Sequence, residues 1–422
     1  MIDGMPEAFI GPMVADLACH EVGHTLGLRH NFKGSAAYTL AEINSPEMKG
    51  KKPFTGSVMD YNPVNINHDD GEVQGDYSMI GIGPYDDWAI QYGYTQSDKE
   101  LKAILSRVAE PELQYATDED TWGADPLARR YDFGKNPLDY ARSQIRLAKH
   151  NRERIIETLM KDGDSWAKTR KLYEMTLSMQ MRSISMMGNW LGGAHIYRDK
   201  KGDKNGRLPV EVVAAQKQRD ALQFVIENAF KDQAFGLTPD LLMRMSVDKW
   251  WDNTASILED ATWPVHDMIV DIQASVLANL MYPTTLRRIY DNEFLVPEEE
   301  DALTLPELMQ TLTDAIWTEL AQTPSKTYTA RKPYVSSLRR NLQRQHLELL
   351  IDLSRVRWFS AAAYKPIADL VYEQLRAIRL KRINRVLLSA EDDLDPYTIA
   401  HLRDAEMQIQ KTLDAQYVYR QL

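Results

Sequence analysis

Cysteine is almost absent from this sequence: Cys19 is the only one among 422 residues. A lone cysteine forms no intramolecular disulfide, so stability must come from buried apolar surface. With 44% apolar residues, the chain is long enough to build two or three such cores. Positive charge is also scarce. Asp and Glu outnumber Lys and Arg 61 to 50, for a formal charge of −11, and no basic stripe dominates any segment. A nucleic-acid partner is therefore excluded, since phosphate binding needs concentrated Lys and Arg. Long apolar runs are missing too: residues 268–281 come closest, but Asp271 and Gln273 interrupt them, so no transmembrane segment is expected. The opening residues lack the basic start and apolar core of an export signal.

Against these absences stands His20-Glu21-Val22-Gly23-His24-Thr25-Leu26-Gly27-Leu28-Arg29-His30, which fills every specified position of HExxHxxGxxH. On a helix, His20 and His24 stand one above the other and can present nitrogens to a single metal ion. Glu21 falls on the adjoining stripe, where a carboxylate reaches a metal-activated water without becoming a ligand, the position of a general base. Gly27 lies where the helix must end for the chain to swing back, a turn that glycine makes at low cost. His30 then arrives as a third nitrogen ligand. Three histidines with one position left open are the donor set of a catalytic zinc site rather than a closed structural one. Cys19 lies at the wrong helical angle to join them and reads as small apolar packing.

Downstream lies Ser57-Val58-Met59-Asp60-Tyr61. The long zinc motif followed by this methionine turn resembles the metzincin metallopeptidases. That resemblance implies a zinc-dependent endopeptidase, with Met59 as an apolar floor under the histidines. It also implies a role for Tyr61, as a fifth ligand that swings away or as a hydroxyl that stabilises the oxyanion. Asn31, directly after the third histidine, departs from the acidic residue of the better-known branches. The wider run from Ile10-Gly11-Pro12-Met13-Val14 through His30-Asn31-Phe32-Lys33, with Gly83-Pro84-Tyr85-Asp86-Asp87-Trp88-Ala89-Ile90 downstream, resembles the large bacterial met-zincin family over about the first hundred residues.

The same resemblance implies a protein or peptide substrate, an extracytoplasmic location and a substrate-binding sheet ahead of the zinc helix. Only nineteen residues precede His20. The expectation is therefore that this chain is the C-terminal part of a larger protein and partners a missing N-terminal region. Two alternatives stay open: a zinc-binding but inactive fragment, and a non-enzymatic helical interaction module.

The expected fold class is mainly α. Residues 1–97 would form the lower half of a metzincin-like catalytic domain, and 98–422 a helical domain, of one or two subdomains, with one β-hairpin. In detail, 1–12 reads as a loop, about 13–26 as the zinc helix, 31–82 as irregular and 84–94 as a helix with an aromatic stripe. Asn67 to Glu72 offers oxygen ligands for calcium but lacks EF-hand spacing, and reads as a solvated acidic turn. Amphipathic helices follow near 138–160, 166–189, 210–231, 262–282, 304–321, 333–358, 364–386 and 395–416, without a repeat period. The methionines at 175, 179, 181, 186 and 187 read as core packing. Asp203-Lys204-Asn205-Gly206 suggests a hairpin between 194 and 210.

Overall fold

The computed structural model describes residues 5–68, 70–249, 260–355 and 362–415. The chain divides into two compact units, Met1–Asn151 with Ser178–Val213, and Arg152–Leu177 with Ala214–Leu422. Residue 97, the expected edge of the zinc-binding region, lies inside the first unit. Both units are built mainly from helices, as the periodicity suggests.

In the first unit, α1 (Glu7–Thr25) starts well before the expected residue 13 and carries Pro12 inside it. Proline there removes one N–H bond, and the good helix formers Ala8, Met13, Ala15, Leu17 and Ala18 carry the helix through it. The helix ends as the sequence foretells. Gly27 takes a φ of +89°, and the Leu28 N–H reaches back to the Gly23 carbonyl (3.0 Å) while Gly27 N–H bonds His24 O (3.0 Å), which satisfies the last free carbonyls. A short α2 (Leu40–Ile43) is fixed by a reciprocal cap, with the Glu42 N–H donating to Thr39 Oγ1 (3.2 Å) and the Thr39 N–H to Glu42 Oε2 (2.7 Å). Of the stretch 31–82 expected to be irregular, Gly34–Ala37 and α2 form short helical turns, while the described residues from 44 onward are irregular. Within it the acidic turn is held from outside: Arg146 Nη2 lies 2.6 Å from Asp70; Asp69 lies outside the described residues.

The expected helix 84–94 is present as α3 (Pro84–Tyr94). Its aromatic stripe is only partly core: Tyr85 is buried and stacks on Tyr115 (5.4 Å), whereas Tyr92 is exposed and stacks on Trp88 (5.8 Å). Strands β1 (Ala194–Ile196) and β2 (Val210–Val212) pair antiparallel, with Ala194 opposite Val212. This is the expected hairpin in shorter form. Asn205 has the left-handed φ of +57° that an Asn-Gly turn uses, but the strands hold three residues each and a long connection joins them. Residues 210–212 are therefore strand, and the helix expected from 210 begins only at Ala215.

Helices of the second unit include Val265–Leu280, Leu305–Ile316, Ser337–Leu353 and Pro396–Leu413. Three of these start with a side-chain oxygen accepting a first-turn N–H: Thr304 from Glu307, Ser336 from Arg339 and Asp395 from Thr398. The expected helix 364–386 is broken by a wide π turn at Ile378–Ile383. Trp317 is fully buried, and its indole N–H donates to His346 Nδ1 (3.1 Å), while His401 Nε2 lies 2.8 Å from Gln343 Oε1. Burial pushes both imidazoles down to about 3, so these histidines are neutral packing partners. The methionine run is split: Met186 and Met187 are core, whereas Met175 is exposed.

Candidate metal centre

The turn after α1 brings His30 back beside His20 and His24, and one ligand atom from each of the three histidines lies within 4.8 Å of the others. Each Nδ1 meets an oxygen: His20 the Val58 carbonyl (2.7 Å), His24 the Leu28 carbonyl (3.0 Å) and His30 the Asp118 carboxylate (2.9 Å). Carbonyls and carboxylates only accept hydrogen bonds, so all three Nδ1 atoms carry the proton and all three Nε2 lone pairs are left free. His30 Nε2 is buried without a hydrogen-bond partner. Burial pushes the His20 imidazole below its ordinary value, and His24 and His30 add to this, which favours the neutral form that metal binding requires. A buried orphan nitrogen beside two more imidazole lone pairs fits a zinc ion.

The segment from Ser57 to Tyr61 is fastened by α3. Asp86 of α3 accepts the Val58 N–H (2.8 Å) and the Gly83 N–H (2.8 Å) on one oxygen and the Ser57 hydroxyl (2.5 Å) on the other. Ser57 Oγ in turn accepts the Met59 N–H (3.0 Å). Burial pushes the Asp86 carboxyl above the usual range. A helix residue 28 positions downstream therefore fixes the carbonyl that orients His20. Met59 is fully buried, and its sulfur packs so closely on α1 that a Cβ at Gly23 would lie 2.3 Å from it. Gly23 occupies an unspecified position of the motif, yet any side chain there would force this methionine to shift.

Glu21 is exposed, and with the three histidines and Tyr61 it lines a cleft of about 640 Å³. The Tyr61 ring lies 4.8 Å from that of His30 and 5.5 Å from that of His20. All five residues singled out in the sequence thus meet at one site.

Several neighbours were not legible in the sequence. Asp118 orients His30 and is itself held by Arg130 Nη2 (3.0 Å), whose guanidinium also lies 4.8 Å from the Phe32 ring centre. Phe32 stacks on His30 at 4.9 Å. Burial alone would raise the Asp118 carboxyl, but contacts with His30 and Arg130 outweigh it and hold it below its usual range. The unusual Asn31 is a brace: it is fully buried, its N–H donates to the Met59 carbonyl (2.9 Å), and its side chain bonds Gln114 O (3.0 Å) and the Ala116 N–H (3.2 Å). Residues 129–135 strap the turn from behind, with Arg129 N–H on Phe32 O (3.0 Å), Tyr131 N–H on Tyr61 O (3.1 Å) and Gly134 N–H on Ser35 O (3.2 Å). Tyr131 has a left-handed φ of +62°, uncommon for a bulky residue, and lines the cleft. Beneath the strap, Asp60 accepts the Ser35 N–H (2.8 Å) and Asp132 the Ser35 hydroxyl (3.1 Å). Burial pushes both carboxyls up.

A met-zincin family model matches residues 3–324, well over half of the chain and including the whole cleft. The chain belongs to the met-zincin family. Membership implies zinc binding, in agreement with three imidazoles whose Nε2 atoms are free. The match runs far past the zinc motif, so the family is recognised through its helical residues too. No curated protein and no solved structure proved similar to this met-zincin. No described helix is long and apolar enough to cross a membrane.

Proposed function

We propose that this met-zincin is a zinc-dependent endopeptidase in which His20, His24 and His30 hold the metal through Nε2. The observation that carries the reading is the set of three occupied Nδ1 atoms facing oxygen acceptors, which leaves three Nε2 lone pairs free on histidines whose ligand atoms lie within 4.8 Å of one another and which line one cleft. When bound, zinc supplies Lewis acidity there. Glu21 takes the proton of the attacking water on its carboxylate and delivers it to the leaving amine nitrogen. The Tyr61 hydroxyl donates to the oxygen on which negative charge develops. Asp118 and the Val58 carbonyl keep the rings aimed while this happens. An extracytoplasmic location belongs to the same proposal.

A second reading, a chain that holds zinc but turns over peptides poorly by itself, is favoured by one feature of α1. Val14, Leu17, Val22 and Leu26 are all exposed along it, bare apolar side chains spread around the helix rather than the single covered stripe of a surface helix. Incubating the zinc-loaded chain with a denatured protein, with and without chelator, decides between them. Fragments that disappear with chelator and return with zinc support the peptidase; bound zinc without fragments supports the second reading.

A further inference from the structure

The cleft wall is uneven in charge. Among the described residues, no lysine or arginine lines it, whereas Asp16, Glu21 and Asp60 do. Arg130 approaches Tyr61, at 6.0 Å from its ring centre, but it is ion-paired to Asp118 and does not line the cleft. Glu21 is committed to proton transfer, and Asp60 is spent on Ser35 behind the turn. Asp16 is held more loosely. It lies on α1 four residues before His20, hence on the same face and about 6 Å along the axis. One of its oxygens accepts the Met79 N–H through a long 3.3 Å bond, and it forms no ion pair among the described residues. Burial pushes this carboxyl up to about 6, a cost that a cation beside it would offset. Around it the cleft supplies what a long basic side chain uses: Met13 and Leu17 for an alkyl stem, and the rings of Tyr61, Tyr77 and Tyr131 for a cation.

We infer that Asp16 is a specificity-determining residue and that the cleft selects peptides in which a lysine or arginine near the scissile bond reaches its carboxylate. The inference rests on the peptidase reading for its substrate class, and the acidic balance of the whole chain, −11, favours encounter with cationic peptides.

The test uses the zinc-loaded full chain and a peptide set in which one position at a time, over three residues on each side of the scissile bond, is lysine, norleucine or glutamate. Norleucine keeps the stem and removes the charge. At one position lysine should exceed norleucine by about 10- to 100-fold in kcat/KM, the range of a hydrogen bond to a charged partner. Asp16→Asn should bring that ratio to within about threefold, and Asp16→Lys should turn it toward glutamate, with zinc content and thermal unfolding showing that both variants are folded. The same peptides, labelled, are titrated onto zinc-loaded Glu21→Gln protein by fluorescence anisotropy, a readout that needs no turnover. Cleavage without a charge preference, or with a preference that survives Asp16→Asn, overturns the inference and leaves the peptidase intact. Asp16-dependent selective binding without cleavage supports the inference and removes the peptidase. Neither binding nor cleavage overturns both.

Discussion

Gly23→Ala probes the packing on which the metal centre rests. The new methyl would sit 2.3 Å from Met59 Sδ, where contact is comfortable only at about 3.5–4 Å, so the thioether must retreat by more than about 1 Å. It has nowhere open to go, because Met59 is fully buried. Two terms compete. Alanine in a helix interior gains about 1 kcal/mol over glycine, while overpacking a filled core costs about 1–3 kcal/mol. The expected net effect is a loss of about 1 kcal/mol. Because Val58, next to Met59, carries the carbonyl that holds His20 Nδ1, zinc affinity should also fall by about tenfold, the effect of a disturbed outer partner. Urea unfolding of the metal-free protein reads the first quantity, and competition with a chromogenic chelator reads the second. In a Met59→Ala background the clash is gone, and the same glycine replacement should become stabilising by about 1 kcal/mol, a coupling of about 2 kcal/mol across the cycle. Equal stabilisation in both backgrounds, with unchanged zinc affinity, would refute the reasoning.

Asp118→Ala should raise the zinc dissociation constant by about 10- to 100-fold through lost orientation of His30, read by the same chelator competition. Glu21→Gln should cut kcat by about 10²–10⁴-fold, and Tyr61→Phe by about 10²–10³-fold, both with zinc content preserved in metal analysis. Lys33 Nζ and Asp125 form a buried pair at 2.6 Å, exposed by only 1% and 3%, so Lys33→Met should cost about 3–5 kcal/mol in urea unfolding. Burial alone would raise Asp125, but His195, Lys33 and the Ile196 N–H outweigh it and hold it at about 2, below the unfolded value of about 3.9. Its contribution is therefore fully present above pH ~4 and disappears as pH falls toward about 2; acid unfolding of Asp125→Asn should lack that segment of the curve.

What the sequence disclosed about this site followed from local spacing. His20, Glu21 and His24 lie within two helical turns, Gly27 has the φ its place after the helix demands, and His30 follows at once. Periodicity likewise located α3 and most helices of the second unit. Asp118, Arg130 and Tyr131 were illegible because no spacing rule links them to His30, 88 residues before the first of them. The only hints were an acidic run at Asp118-Glu119-Asp120 and the basic pair Arg129-Arg130, each of which reads equally well as solvated surface. Asn31 looked like a departure from a familiar pattern, and only its contacts with 114–116 show it as the brace that joins those residues to the methionine turn. Pro12 masked the true start of α1, since a helix interior tolerates proline only where neighbouring residues outweigh the lost bond. The shift of the hairpin strands to three residues each reflects a connection long enough to make its own turns.

Titration of the metal-free chain with zinc, followed by cleavage of a peptide substrate, tests the central claim most directly. Activity should rise linearly and break at one equivalent of zinc per chain, and His30→Ala should show no rise over the same range. One equivalent bound with no cleavage, or a break of the same height in His30→Ala, would contradict the assignment of this cleft as a three-histidine zinc peptidase site.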